Sequence, residues 1–410
     1  MNLRSGYPFW LIKNGLPYDY PKLEQSLRTD VLILGGGISG ALTAHYLIES
    51  GISCVILDSR TIGTGSTCAS TALLQYELDV PLCRLKDMLG LEKALQAYRL
   101  AAGAIEKIRI LSGKVASKSF EYKKSLYCAH ARKALPLLDK EYALRRSGGF
   151  KVQRLHAQDL LSDYGMHAPG AILSQAGASI NPYQFTHLLH QDSIKKGLSI
   201  YDRSKATRFH YEKKGVRIET ENGFTVHARK LVFANGYEAI DYLKEPGIVS
   251  LNSSYACASE QFNEPAPFWK KEALIWNTAD PYTYVRTTPD RRILIGGRDE
   301  PFSDTATRDL KILQKAKKLS TDFLKIFPKI PFKAEFSWSG TFGSTADGLP
   351  IIGVNKNHPH SYFALGLGGN GIVFSQLAAE IIRDLFLKKR HEAATLFAFE
   401  RKSLRSNRKR

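Results

Sequence analysis

The sequence predicts an α/β fold that carries a second, antiparallel β-rich unit, the two interleaved along the chain. Three observations predict it. A strand–turn–helix–strand unit occupies residues 29–58. An aromatic-rich, alternating stretch runs from Ile248 to Gly297. Between them there is no Pro-, Gly- or Ser-rich linker, so two units cannot simply be strung end to end. The 410 residues suit two or three domains. Hydrophobic residues at 43% and aromatics at 10% supply a large core and exclude disorder or a collagen-like repeat.

The elements follow in order. Asp30-Val31-Leu32-Ile33-Leu34 is a short apolar run before a glycine turn, the pattern of a buried parallel strand. Gly35-Gly36-Gly37-Ile38-Ser39-Gly40 leads into a helix from Ala41 to Ser50, and Gly51 suits the left-handed position that closes it. Ile52–Leu57 is a second strand, which ends at Asp58. Leu91–Leu111 is helical by period, Phe120–Ala129 reads as a strand, and Lys133–Arg146 reads as a helix closed by Gly148-Gly149. Asn181 caps a helix that begins at Pro182 and runs to Lys196. Short strands follow at 199–201, 206–211, 216–219, 225–227 and 230–236. Beyond the antiparallel stretch come a helix from Arg308 to Phe327, a strand Tyr362–Leu365 and a long helix Gly371–Leu387.

No run approaches the length of a transmembrane helix, and the N-terminal segment lacks the pattern of a signal peptide. The 58 Lys and Arg against 39 Asp and Glu give a net +19. That balance favours anionic partners; it permits a nucleic acid or a membrane surface without favouring either. Nine of the basic residues lie between Leu387 and Arg410, and the tail reads as a solvated end. Five cysteines without a CxxC spacing fit a reducing, cytoplasmic setting and offer no metal site.

Chemistry concentrates in the glycines. In Gly35-x-Gly37-x-x-Gly40 the first glycine permits the turn. The second lets a pyrophosphate approach the backbone, and the third lets helix and strand pack closely. The amides of Ile38, Ser39 and the helix start face the phosphates. Asp58, at the end of the second strand, can accept both ribose hydroxyls of an adenosine, with Ser59 and Arg60 beside it. The pattern leaves NAD and FAD open, while Asp58 disfavours a 2′-phosphate. A small, hydroxyl-rich segment, Thr64 to Leu73, can pass close under a flat ring. Leu365 to Ile372 opens the last helix with Gly368, Gly369, Asn370 and Gly371, so its positive end can favour negative charge on such a ring. Neither a catalytic triad nor a metal cluster emerges, and no catalytic residue is assigned. His45 reads as a packed or surface side chain.

These motifs resemble the D-amino-acid oxidase-type FAD-dependent oxidoreductases, in the glycine and sarcosine oxidase branch. The resemblance covers nearly the whole chain and includes Trp338-Ser339-Gly340 and Thr345 to Gly353. It implies FAD as cofactor. It implies a Rossmann-like FAD-binding domain of discontinuous segments (1–90, 150–240 and 335–410) under a substrate domain of antiparallel strands (91–149 and 241–334). It assigns Asp58 to the ribose, and Ala206 and Thr207 to the adenine. Gly65, Ser66, Thr67, Ser70, Thr71, Ala72 and Leu73 fall to the flavin ring, as do Gly368, Gly369, Asn370, Gly371 and Ile372. Ala234, Asn235, Gly236 and Gly340 complete the expected cofactor contacts. Two departures stand out. No arginine follows Trp338-Ser339-Gly340, where several members hold a substrate carboxylate. Cys68 stands where some relatives attach the flavin through a histidine, and non-covalent binding is expected. Strand alternation places Tyr282, Tyr284 and Arg286 on one face, where Arg286 either binds an anionic substrate or pairs with an acid such as Asp290 or Glu300. The expected reaction is oxidation of a C–N bond in a small amine or amino acid by hydride transfer to the flavin, with oxygen or an electron carrier as acceptor. The alternatives are a flavoprotein acting on modified tRNA and a membrane-surface dehydrogenase that passes electrons to quinone.

Overall fold

The computed structural model describes residues 2–404 other than 244 and 246; the last six residues of the basic tail lie outside the described residues. Its centre is a set of parallel strands. Leu27–Leu34 lies between Cys54–Leu57 and Thr225–Phe233, and Ser199–Tyr201 extends the sheet beyond Cys54–Leu57. These strands are apolar because both faces are covered, with Val31 to Leu34 and all of Cys54–Leu57 buried. The segments expected at 225–227 and 230–236 form one strand, since both halves pair with Leu27–Leu34. Its first half also pairs with the hairpin strand Gly215–Thr220, and its second with Ser361–Leu365.

A nine-stranded sheet forms the other unit. It runs Arg4–Gly6, Ala334–Ser344, Ser250–Ser259, Ile293–Glu300, Tyr284–Thr287, Leu274–Asn277, Ser125–Cys128, Gly170–Ser174, Val152–His156. It is antiparallel apart from Leu274–Asn277, which runs parallel to Ser125–Cys128. The expected helix 308–327 is two, Thr305–Leu310 and Ile312–Ile326, with Lys311 between them.

Sheet membership moves several segments relative to the expected domain boundaries. Helix Leu91–Lys114 packs against helix Gly371–Phe386, in the same core as Val31 and Ile56. Its stripe of Ala94, Ala97, Ala101 and Ala104 is fully buried, and small side chains let two helices approach. Strands Val152–His156, Gly170–Ser174, Ala334–Ser344 and Arg4–Gly6 belong to the nine-stranded sheet. The chain therefore crosses between the two units more often than the sequence suggests.

One buried ion network ties these crossings together. Arg145, on helix Leu135–Ser147, donates Nε to Glu141 Oε1 at 2.8 Å and Nη1 to Glu77 Oε1 at 3.4 Å. Glu141 also accepts from the backbone amides of Leu82 and Cys83 at 2.9 Å. The guanidinium lies within 6.0 Å of the ring centres of Tyr76, Tyr98 and Tyr127. Removing one partner leaves a charge buried with too few partners. Glu141→Ala is expected to cost about 3–5 kcal/mol in denaturant unfolding. Asp139→Ala breaks the Asp139–Arg154 pair at an exposed carboxylate and is expected to cost less than about 1 kcal/mol in the same measurement.

Candidate functional site

A cavity of about 420 Å³ lies between the parallel strands and the nine-stranded sheet. Gly35, Gly37, Ile38 and Ser39 line one end. Gly35 has φ +103°, and a Cβ there would meet the backbone of Ala234 and Asn235 at 2.7 Å. A Cβ on Gly40 would lie 1.9 Å from the carbonyl oxygen of Gly35, so the third glycine is required by packing alone. Helix Ile38–Ile48 begins three residues earlier than expected, directly from this turn. Asp58 accepts from the amides of Gly36 (2.7 Å) and Arg60 (2.8 Å). Burial pushes its carboxyl up to about 6 against those two hydrogen bonds. Arg60 forms a forked pair with Glu238 at the same end.

The loop after the second strand is gripped from outside. Arg4 Nε donates to Thr64 O, Trp338 Nε1 to Ala69 O, and Trp10 Nε1 to Ser70 O, all at 2.7–2.8 Å. Arg286 Nη1 donates to the carbonyls of Thr71 (3.2 Å), Ala72 (2.8 Å) and Ile180 (3.1 Å). Ala72 sits at φ +55°, a conformation an alanine holds only when its surroundings fix it. Thr67 Oγ1 accepts from the amide of Ile38 at 3.0 Å and so ties the loop to the glycine turn. Gly65, Ser66, Thr67, Ser70, Thr71, Ala72 and Leu73 all line the cavity.

The far end combines the last glycine turn with the nine-stranded sheet. Gly368, Gly369, Asn370, Gly371 and Ile372 line it, as do Trp276, Tyr282, Tyr284 and Asp299. Asp79 accepts from Gly369 N at 2.7 Å and from Tyr282 Oη at 3.0 Å, so a carboxylate already faces this turn. Asn370 Nδ2 donates to the carbonyls of Gln75 and Glu77 and fixes the segment that carries Asp79. Burial raises Asp79 above the usual carboxylate range and pushes Asp299 up to about 6. Several buried polar atoms on cavity-lining residues have no hydrogen-bond partner in the protein: Ser66 Oγ, Glu77 Oε2, Asn235 Oδ1, Trp276 Nε1 and Asp299 Oδ1. A polar ligand would satisfy them.

Most expected residues meet at this cavity. Asp58, Ser59, Arg60, Ala206, Ala234, Asn235, Gly236 and Gly340 line it. Gly40 does not, since it packs against Gly35. Thr207 does not either; it is exposed, and its hydroxyl donates to Glu219 O. Tyr282 and Tyr284 line the far end, but Arg286 is overturned as a substrate contact. It is 1% exposed and bonds backbone carbonyls, and it pairs with neither Asp290 nor Glu300. Burial lowers it to about 10, outweighing the pull of the Glu121, Asp290 and Glu272 carboxylates, none of which forms an ion pair with it. The face was right and the depth wrong: the guanidinium ends beneath Thr71 and Ala72. Glu77, Asp79, Trp276 and Asp299 were missed. A signal existed in the two acids of the apolar run Leu73–Val80, and in Gly296-Gly297 beside Asp299. A Cβ on Gly296 would collide with the Tyr284 ring at 2.4 Å, so that glycine makes room for the tyrosine.

A glycine turn with a strand-end acid, joined through one cavity to a second glycine turn under an antiparallel sheet, defines a dinucleotide-cofactor oxidoreductase. The model of the FAD dependent oxidoreductase family (DAO) matches residues 30–385, and the chain belongs to that family. Gamma-glutamylputrescine oxidoreductase of Escherichia coli is 24% identical over 381 residues, covering 90% of this chain and 85% of that protein. Glycine oxidase of Bacillus subtilis is 24% identical over 386 residues, covering 90% and 96%. The crystal structure of glycine oxidase from Geobacillus kaustophilus superimposes with a TM-score of 0.75 at 20% identity, over 91% of this chain and 99% of that one.

Two predictions follow from the clamps. Arg286→Lys keeps the charge and loses the fork that grips Thr71, Ala72 and Ile180. It is expected to lower Tm and flavin content together; normal stability with a raised KM for anionic substrates alone would contradict the assignment. The second concerns His190, whose Nε2 lies 2.9 Å from Gly36 O and therefore donates to it. Burial lowers His190 from 6.5 to about 4, and lowers His187 beside it to about 3. Below pH 6.5 the unfolded chain binds a proton that folded His190 refuses, so stability falls as pH drops from 6.5 towards 4. The loss for His190 is on the order of 3 kcal/mol. Thermal unfolding against pH should show this decline, shallower in His190→Gln, which keeps a donor and does not titrate.

Proposed function

We propose that this FAD-dependent oxidoreductase oxidises the C–N bond of a small amine or amino acid and binds its FAD without a covalent link. The observation that carries the reading is the single cavity. One end has the geometry for a dinucleotide, and the other closes under Trp276, Tyr282 and Tyr284. The fit of an FAD is supported by the cradle at Gly35 and Gly37 and by the unpartnered polar atoms along the cavity. In this reading Asp58 holds the adenosine ribose, and Ala206 with Ser204 and Lys205 borders the adenine. Gly37, Ile38 and Ser39 border the pyrophosphate. The Gly65–Leu73 loop and the Gly368–Ile372 turn hold the ring.

A bound flavin would supply the hydride acceptor for oxidation at the carbon that carries the nitrogen. The chain's own part is placement. Arg4, Trp10, Arg286 and Trp338 fix the loop that would hold the ring, and Tyr282 and Tyr284 would help exclude water from that end of the cavity. Cys68 is a poor attachment point. It is buried outside the cavity lining, its Sγ donates to Gly65 O at 3.3 Å, and burial pushes its thiol up to about 11. All five cysteines are free, which supports a reducing, cytoplasmic setting. Among the described residues no helix is long and apolar enough to cross a membrane. Oxygen or a protein electron carrier completes the cycle.

Purified protein is expected to be yellow and to release FAD into the supernatant on acid precipitation. Anaerobic addition of substrates from a panel of primary amines, N-methyl amines and amino acids is expected to bleach the flavin, and carbonyl product should match the flavin reduced. A colourless protein, or FAD that no amine or amino acid bleaches, would overturn the reading.

A further inference from the structure

The substrate end of the cavity is acidic. Asp79 and Asp299 line it, and Glu77 borders it. Tyr282 bridges from Asp79 towards Tyr284, their rings 5.8 Å apart, and Tyr284 Oη lies 3.5 Å from Ser254 Oγ. Trp276 meets the Tyr282 ring edge-on at 6.0 Å. Two carboxylate oxygens here are fully buried and have no donor in the protein: Asp299 Oδ1 and Glu77 Oε2, the latter on a side chain 2% exposed. Among the described residues lining the cavity, the only Lys or Arg are Arg60 and Lys205. Both lie at the adenosine end, beside Asp58 and Ala206. Arg286, for which the sequence left open a role in binding an anionic substrate, is engaged instead with backbone carbonyls.

From this placement, and resting on the function proposed above, we infer that the substrate is a cationic amine with no carboxylate beside the reacting carbon, recognised by Asp79 and Asp299 within walls of Trp276, Tyr282 and Tyr284. The carboxylates supply acceptors for an ammonium, and the aromatic faces add cation–π attraction. An α-amino acid would set its own carboxylate beside Asp79 and Asp299, while the buried Arg145 guanidinium behind Glu77 is already engaged by Glu77 and Glu141 and does not line the cavity. The unpartnered Trp276 indole N–H adds one donor, suited to a hydroxyl, ether or amide oxygen on the substrate. The raised Asp79 and Asp299 carboxyls agree, because burial outweighs the groups that favour their ionised forms, Gly369 and Tyr282 at Asp79 and Ser254 and Lys315 at Asp299.

The test uses holoenzyme and matched compounds. Anaerobic flavin reduction is measured with 1,4-diaminobutane, N-methylbutylamine, glycine, sarcosine and D-alanine. The amines are expected to reduce the flavin at least a hundredfold more efficiently than the three amino acids. Benzyltrimethylammonium, which cannot be oxidised at its quaternary nitrogen in this way, is expected to perturb the flavin spectrum and compete with the amines, while benzoate does neither. Asp299→Asn and Asp79→Asn are expected to weaken benzyltrimethylammonium binding tenfold or more at unchanged FAD content. If these variants do not fold, the wild-type contrast between benzyltrimethylammonium and benzoate still decides. Efficient reduction by glycine or sarcosine, or tighter binding of benzoate than of the cation, would overturn this inference and leave the proposed function standing. Failure of every amine and amino acid would overturn the proposed function itself.

Discussion

The grip on the backbone carbonyls of residues 64–72 is the interaction on which the rest of the site depends. Arg4 and Trp338 come from the nine-stranded sheet, Trp10 from the helix Phe9–Asn14, and Arg286 from the sheet's middle. A buried carbonyl without a donor is costly, so each long side chain both satisfies the loop and fixes its position. The loop in turn meets the first glycine turn through Thr67 and Ile38. Two sheets that share no strand are thereby held at a set spacing, and that spacing is the cavity. The strained Ala72 lies where the grip is densest, which accounts for an alanine in a left-handed conformation.

What could be read in the sequence was local. The first strand, the glycine turn, the helix and Asp58 lie within 30 residues, and each glycine answers to a steric demand from its own neighbours. The Asn181 cap with Pro182 was equally legible, and Asn181 Oδ1 accepts from Gln184 N at 3.0 Å. The boundaries of the two units were not, because they rest on distant pairings such as Arg4 with Gly340. Periodicity revealed that helix Leu91–Lys114 has an apolar face, but it carries no information about which sheet that face covers. Alternation likewise gave the face of Arg286 and not its depth. Asp79, in the bend after Leu73–Gln75, and Asp299, in the strand Ile293–Glu300, escaped notice because an acid in a bend or at a strand's end ordinarily marks solvent, and only the fold reveals that these two are enclosed.

Charge separates by scale in this molecule. The chain carries +19, yet six acidic residues and two basic ones line the cavity. Overall charge governs what the surface attracts over a Debye length, whereas a low-dielectric cavity responds to the few groups that face it. A basic exterior can therefore coexist with a site suited to cations, and net charge is a poor guide to the ligand of an enclosed pocket.

The order of the strands has a consequence for how the chain is made. Arg4–Gly6 finds its partner only at residues 338–340, near the other end of the fold. At synthesis rates of roughly 5–20 residues per second, that interval lasts on the order of 17–70 s. Thr225–Phe233 faces a similar delay before Ser361–Leu365 arrives to pair with it. Throughout that time the sheet is half-built and the 64–72 loop lacks the grip of Trp338. Until the turn at 368–372 has joined the fold, one end of the cofactor cavity lacks its wall.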